Sequence, residues 1–340
     1  MNETDEAQRQ GAIWGGFIGD AHAMPAHWYY DRKALHRDYG HIVDYLAPQN
    51  PHPDSILWRS SYKPENERGE ILHDQARFWG KRGVHYHQNL AAGDNTLNLQ
   101  LARLLLDSLR EKKGYDPDDY LERYIDFMLN PGSHRDTYLE EYHRNFFTNH
   151  ARGKAPRKCG QPDIHIGGLA HVGVLCAYFH DDLSLAREVV REHVGLTHPA
   201  PALLRAADTL TQILIFVMDS MPLRQAIVEF GTDYFSEKRS YDLYGRPDDV
   251  VIGSVFSPAC YIQDALPASL YLAWKYAESF AAGTIANTNL GGDNCHRGAV
   301  LGSLLGAAVG IDGIPPQFVG GLQLRDAIQA VMPSESAVLT

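Results

Sequence analysis

Asp94 and Asp293 each sit in the same tripeptide, Gly-Asp-Asn, at positions 93–95 and 292–294, and each copy opens a segment with helical patterning. Asp and Asn are favoured helix caps, so either copy alone also reads as a cap for the free amides of a first turn. The glycine ahead of each aspartate permits the tight turn that a ligand-facing loop requires. A helix start carries a partial positive charge of roughly half a unit, which keeps a nearby carboxylate ionised. Two such aspartates brought together from distant parts of the chain can hold a cation or orient a water. Paired carboxylates of this kind serve glycoside hydrolysis, where an oxocarbenium-like centre is stabilised while water is delivered.

His27 is the next candidate, in the run His27-Trp28-Tyr29-Tyr30-Asp31. A neutral imidazole acts as a general base near pH 7 without the shift a carboxylate needs, and Asp31 is available to orient it. The competing reading is a structural histidine bonded to backbone in an aromatic loop, because most of the chain's 17 histidines cannot be catalytic. Cys295 and His296 offer thiolate and imidazole to zinc, but adjacent residues at a helix start diverge, and core packing or capping is the preferred reading. Arg297 lies one turn inside the same helix. Fixed between two carboxylates, it would supply positive charge and a planar set of donors in place of a metal.

Gly11, Gly15 and Gly19 fall at steps of four, as do Gly298, Gly302, Gly306 and Gly310. Two glycine-faced helices are therefore expected to pack backbone against backbone. In order along the chain come Gly19-Asp20-Ala21, Gly93-Asp94-Asn95-Thr96, Leu196-Thr197-His198-Pro199, Leu266-Pro267-Ala268-Ser269-Leu270 and Asn289-Leu290-Gly291-Gly292-Asp293. With these five elements the chain resembles the ADP-ribosylglycohydrolase family over most of its length. The resemblance implies a single-domain, all-α orthogonal helical bundle over 1–340. It also implies a site that holds two magnesium ions and hydrolyses the bond between ADP-ribose and an acceptor.

Three departures alter that expectation. His27 stands where the family usually has a glutamate, Asn95 stands at the second acidic position of Thr-Asp-Asp-Thr, and Cys295 replaces the second aspartate of Asp-x-Asp-Thr. Magnesium demands near-octahedral oxygen ligands, and two carboxylates balance one divalent ion rather than two. The resemblance, carried over residue by residue, gives His27, Asp94 and Asp293 as catalytic residues. It gives Asp94, Asn95 and Asp293 as ligands to at most one divalent metal, magnesium, or to none. Asp20, Thr96, Asn98, Asn294 and Arg297 are the expected substrate contacts. The expected activity is hydrolysis of a glycosidic bond to ribose in an ADP-ribosyl, nucleoside-like or other small ribosyl compound. The departures are also similar to those of the branch that includes the eye-lens J-crystallins, so a non-catalytic scaffold or ligand-binding protein is the alternative.

Composition narrows the partners. A net charge of −11 argues against a phosphate-backbone partner, so no nucleic acid is expected. Met1 to Glu6 are polar and acidic, no secretory signal is read there, and no uninterrupted apolar run approaches ~18 residues, so no membrane association is expected. The four cysteines show no metal or disulfide spacing, which fits free thiols and a cytoplasmic protein. One local exception is Arg144 to Lys158, a basic stretch that would meet a substrate phosphate if it folded over the site, or face water as a solvated loop.

Helical patterning is expected at 7–19, 66–82, 96–112, 117–129, 134–148, 166–179, 183–194, 201–217, 221–230, 265–281, 295–309 and 323–331. Val250 to Phe256 is a candidate short strand. Residues 39–68 form the longest stretch without a pattern, broken by Pro48, Pro51 and Pro53, and are expected to wall a substrate cleft. His85-Tyr86-His87 leads into the first Gly-Asp-Asn copy and places aromatic groups beside the proposed site.

Overall fold

The computed structural model describes residues 3–332; Met1 and Asn2 of the acidic opening stretch lie outside the described residues. The helices are α1 Glu3–Ala23, α2 Arg32–Tyr39, α3 Leu97–Lys112, α4 Pro117–Leu129, α5 Glu141–Ala151, α6 Val172–Tyr178, α7 Leu183–Thr197 and α8 Pro201–Met218. They continue with α9 Leu223–Phe230, α10 Glu237–Tyr244, α11 Asp248–Val250, α12 Ile262–Lys275, α13 Phe280–Leu290, α14 Asn294–Val309, α15 Pro316–Gly321 and α16 Arg325–Val331. Short 3₁₀ turns join several of them. Among the described residues there is no strand, only two isolated bridges, and the fold is all-α as expected.

The central contact is α1 against α14, and the glycine steps cause it. A Cβ placed on Gly11, Gly15 or Gly19 would lie 2.1, 2.0 or 2.0 Å from the carbonyl oxygens of Gly306, Gly302 and Gly298 respectively. Only bare backbone fits there. Trp14, Phe17 and Ile18 of α1 and Leu301, Leu304 and Leu305 of α14 flank the seam and are buried in the main core. The pair fixes the C-terminal end of α1 beside the start of α14, which is where the candidate chemistry lies.

Local signals set several boundaries. Asp116 caps α4 by accepting from the amides of Asp118 and Asp119, with Pro117 at the first helical position. Pro201 opens α8 in the same way. That helix is long and apolar enough by composition to cross a membrane, but 56% of its residues are buried within the fold.

Other expectations fail for identifiable reasons. Residues 66–82 hold only 3₁₀ turns, at Glu67–Gly69 and His73–Phe78, because the Glu70 carboxylate captures the amides of Leu72 and His73. Residues 134–140 are not helical, and α5 starts only at Glu141. The patterned run at 265–281 is two helices, since Ser279 caps a separate α13. Val250 to Phe256 is a tight helical turn broken at Gly253, whose φ is 143°, and not a strand. Arg32 of α2, a helix the pattern missed, donates to Ile252 O of this turn and to Asp249 O just ahead of it. Residues 39–68 carry no α-helix beyond Tyr39, as expected.

Burial of histidine makes the fold acid-sensitive. Burial lowers His22, His52, His171 and His198 to about 4 each, against 6.5 for a free imidazole. Their folded values lie below the unfolded one, so the unfolded chain takes up protons first as pH falls. The stability they confer is complete above about 6.5 and is lost as pH drops from there toward 4. Together these groups amount to several kcal/mol. The melting temperature should fall by at least about 10 °C between pH 7 and pH 4.5, and an unchanged melt across that interval would refute the assignment of neutral buried rings.

Candidate active site

Six side chains form one continuous hydrogen-bonded row beneath a surface cleft. His87 Nδ1 lies 2.5 Å from Asp136 Oδ1, and His87 Nε2 lies 2.7 Å from His27 Nδ1. His27 Nε2 then lies 2.9 Å from Asp293 Oδ1, which is 2.7 Å from His296 Nδ1. His296 Nε2 ends the row 3.1 Å from Glu140 Oε1. All members except Glu140 are buried.

The starts of α3 and α14 position this row without self-capping. Neither Thr96 nor Asp293, their N-cap residues, caps its own helix with its side chain. The amide of Thr96 donates to Asp20 Oδ2 at 2.8 Å, and that of Leu97 donates to Asp136 Oδ2 at 2.5 Å. Carboxylates from α1 and from the irregular segment before α5 therefore complete the first turn of α3. On the other side, the Trp28 amide donates to Gly292 O and the Gly292 amide to Tyr29 O, clamping the His27 turn onto the second Gly-Asp-Asn copy. Gly291 and Gly292 have φ of 62° and 66°, and an added Cβ at either would lie 2.3 or 2.2 Å from a carbonyl oxygen. Trp28 itself has φ of 61°, a strained conformation that recurs at functional sites.

Proton counting sets the charges. His296 touches a carboxylate oxygen through each ring nitrogen, so it needs both protons. Burial alone would lower its pKa, but Asp293 and Glu140 hold it well above the ordinary histidine value. Burial opposes ionisation of Asp293, yet the His296 charge and the His27 and His296 hydrogen bonds hold its carboxyl below the usual carboxylate range. Burial holds His27 well below its ordinary value, only partly offset by Asp293. With His27 neutral, its proton sits on Nε2 and faces Asp293, and its Nδ1 accepts from His87 Nε2.

Glu140 connects this row to solvent. It lines a cleft of about 410 Å³ whose other walls include Trp28, Tyr30, Tyr86, Tyr138, Glu141, His165, Cys260 and Tyr261, a volume suited to a small molecule. Ile56 and Arg59 add a wall from the long irregular segment, as expected of it. Behind Glu140, a void of about 10 Å³ touches His27, His87, Thr96, Asn98, His143 and His296, at the limit for one water.

The expected site residues are placed differently from one another. His27 and Asp293 meet directly. Asp94 does not join them: its Oδ2 accepts from the Ala91 amide and from Arg135, both at 2.7 Å, and it borders another cavity with Gln100 and Arg103. Asn95 donates to Phe17 O and to Asp20 Oδ2, so the ligand set Asp94, Asn95 and Asp293 is not assembled. Asp20 is spent on Asn95 and Thr96, and burial raises its pKa. Asn98 supports Glu140 with a 3.0 Å bond from Nδ2. Asn294 donates to Thr288 O. Arg297 is not held between carboxylates; it donates to Asn287 Oδ1 and to Gly291 O, and so braces the glycine turn. None of Asp20, Thr96, Asn98, Asn294 or Arg297 lines the cleft. Asp31 caps α2 and does not orient His27. Of the basic stretch, Arg152 pairs with Glu65 and Arg157 with Asp118 and Glu192, the solvated reading.

His87, Asp136 and Glu140 were not among the expected catalytic residues. Proximity of His85-Tyr86-His87 to the first Gly-Asp-Asn was a signal for the first, and nothing in the pattern marked the other two.

Two trios of side chains offer converging ligand atoms for a metal: His27, Asp293 and His296, and His27, His87 and Cys295. These are imidazole-rich sets, unlike the oxygen set that magnesium needs. Nitrogen ligands at about 2.0–2.1 Å around a tetrahedral ion lie roughly 3.3 Å apart. Here His27 to His87 is 2.7 Å and His27 to Asp293 is 2.9 Å, hydrogen-bond separations. Cys295 donates its thiol to Asp20 O. The residues present do not fit the magnesium centre that the resemblance implies.

A family model described as ADP-ribosylglycohydrolase matches residues 1–338. A solved ADP-ribosylglycohydrolase-related protein complex is similar over 97% of this chain and 97% of that one, with 22% identity and a TM-score of 0.65. At that identity the likeness shows the fold. No curated protein matches the chain. Because the family model covers nearly all of its length, this chain belongs to the ADP-ribosylglycohydrolase family.

Proposed function

We propose that this protein hydrolyses a glycosidic bond to ribose in a small ribosyl compound or ADP-ribosyl group, and that Glu140 is the acidic group that meets the substrate. The observation that carries this reading is that Glu140 alone belongs both to the cleft and to the buried row. The family is one of hydrolases acting on ADP-ribosyl compounds, which supports the reaction class. Tyr and Trp rings on the cleft walls offer stacking faces to a base or to the sugar.

The chemistry follows from the charges. Glu140 Oε1 accepts from His296 and from Asn98 Nδ2, which fix its carboxylate at the edge of the cleft. A carboxylate there faces the positive charge that develops at the anomeric carbon and draws a proton from the attacking water. The proton that Glu140 takes from the water passes to the departing aglycone, and His296, fixed by Asp293, stays protonated and holds Glu140 in place. His27, His87 and Asp136 do not reach the cleft and act by holding Asp293 and His296 in place. No step in this scheme runs through a metal. Four unpaired cysteines support a reducing, cytoplasmic setting.

The test is a screen of ADP-ribose, ADP-ribosylated peptides and nucleosides for release of ribose or ADP-ribose, with melting temperatures measured alongside. Turnover of at least one compound is expected. No turnover, together with no thermal shift from any of them, would leave the crystallin-like scaffold reading in its place.

A further inference from the structure

Glu140 ends the buried row, and a second set of contacts reaches it from the other direction. It is the N-cap residue of α5 but does not cap that helix with its side chain, so its carboxylate is free to turn toward α3. Asn98 Nδ2 donates to Glu140 Oε1 at 3.0 Å, and Tyr142 OH donates to Asn98 Oδ1. A hydroxyl that donates on one side and a carboxylate that accepts on the other fix which way the Asn98 amide faces. The backbone of Asn98 is held as well. His171 Nε2 lies 2.8 Å from Asn98 O, His193 Nε2 lies 2.9 Å from His171 Nδ1, and Tyr115 OH lies 3.2 Å from His193 Nδ1. A carbonyl only accepts, so His171 carries its proton on Nε2, and the neutral rings that burial enforces complete the series. Gly167 packs against this junction. A Cβ there would lie 3.2 Å from Asn98 Nδ2 and 3.5 Å from Glu140 Oε2, so the glycine leaves both groups uncrowded.

We propose that Asn98, oriented by Tyr142, is a positioning residue that turns Glu140 so that Oε2 is the oxygen presented to the cleft. The assignment rests on the glycosidase reading above and names the reacting atom within it. Oε1 already meets His296 Nε2 at 3.1 Å and Asn98 Nδ2, whereas Oε2 makes no hydrogen bond to protein among the described residues. The attacking water therefore meets Oε2. Without Asn98, Oε1 keeps only the His296 contact, and the terminal torsion of Glu140 is broad enough for the carboxylate to turn. Asparagine suits the position because it donates to a carboxylate while it accepts from a hydroxyl. An ionised aspartate of the same shape would set a second negative charge against Glu140.

Structure and turnover are read separately on the full chain. Crystal structures of wild type, Asn98→Ala and Tyr142→Phe are compared. In parallel, kcat and KM are measured for these and for Asn98→Asp, from about pH 5.5 to about pH 8, on whichever compound the screen above finds. In Asn98→Ala the Glu140 carboxylate should turn by at least about 30° or occupy two positions. Its kcat should fall about 10–100-fold with KM changed less than about threefold, and Tyr142→Phe should lose about threefold in kcat. Asn98→Asp should lose at least as much as Asn98→Ala at the alkaline end. Relative to wild type it should recover at least about fivefold at the acid end, since the protonated side chain again donates to Glu140. The titratable groups facing it there are Glu140, Tyr142 and His171. General loosening of the fold would not be reversed by acid. A Glu140 carboxylate that stays in place in Asn98→Ala would overturn the proposal, whether or not any compound is turned over. A carboxylate that turns in a protein without turnover would uphold the positioning and remove the glycosidase reading. An active wild type matched within about twofold by Asn98→Ala would remove the positioning and keep that reading. If Asn98→Ala does not fold, the Tyr142→Phe structure and the Asn98→Asp pH profile decide.

Discussion

Gly302→Ala should destabilise the protein by about 3 kcal/mol or more, enough to leave much of it unfolded or insoluble. The added methyl carbon would lie 2.0 Å from the Gly15 carbonyl oxygen and 2.7 Å from its carbon. Both neighbours are helix backbone, so nothing can rotate away. Relief requires α1 and α14 to separate, and that loosens the packing of Phe17, Leu301 and Leu305 on either side. Gly320→Ala is the matched control, since nothing lies within 4 Å of a Cβ there and its φ is not positive. Chemical denaturation of the two variants should give a large loss for the first and a change within about 1 kcal/mol for the second. A Gly302→Ala protein as stable as wild type would mean that the two helices do not approach as described.

Glu140→Gln should lower kcat by roughly 10²–10⁴-fold on any compound the wild type turns over, with a much smaller change in KM. The substitution keeps the shape and removes the charge facing the sugar. It also takes away one of the two carboxylates that hold His296 above its ordinary pKa. The alkaline limit of whatever activity remains should then move to lower pH, because the imidazolium loses its proton sooner. Glu141→Gln, on the neighbouring carboxylate of the cleft wall, should change kcat far less, since none of the row's contacts reach it. Steady-state rates for the two variants distinguish a chemical role at Glu140 from a general demand for acidic charge in the cleft.

The glycine spacing carried the most information in the sequence, because a four-residue step on two helices has few uses other than close backbone approach. It located α1 and α14 and, with them, the meeting of His27 with Asp293. The matching Gly-Asp-Asn tripeptides were less faithful. The starts of α3 and α14 do converge, through Asp20, Asp136 and the His27–His87 pair. Asp94, however, points outward because Arg135, forty-one positions away, supplies its counter-charge. Local sequence cannot show a partner at that range. Glu140 and Asp136 were hidden for a related reason. Their segment carries a helical pattern, yet it is pulled straight by what its side chains bind: Asp136 meets the Leu97 amide, and Glu140 meets His296. Arg297 illustrates the opposite error, in which a residue with suitable chemistry at a suitable position is used to brace backbone carbonyls.

In the proposed reaction the chemistry lies in the histidine–carboxylate row that ends on Glu140, and Asp94 lies outside it. The direct test is turnover of a ribosyl substrate by Asp94→Asn and His296→Gln, each in excess chelator and again with added magnesium. Asp94→Asn should keep activity within about twofold of wild type in both conditions, while His296→Gln should lose at least about a hundredfold. Activity that needs magnesium and vanishes with Asp94→Asn would contradict the account.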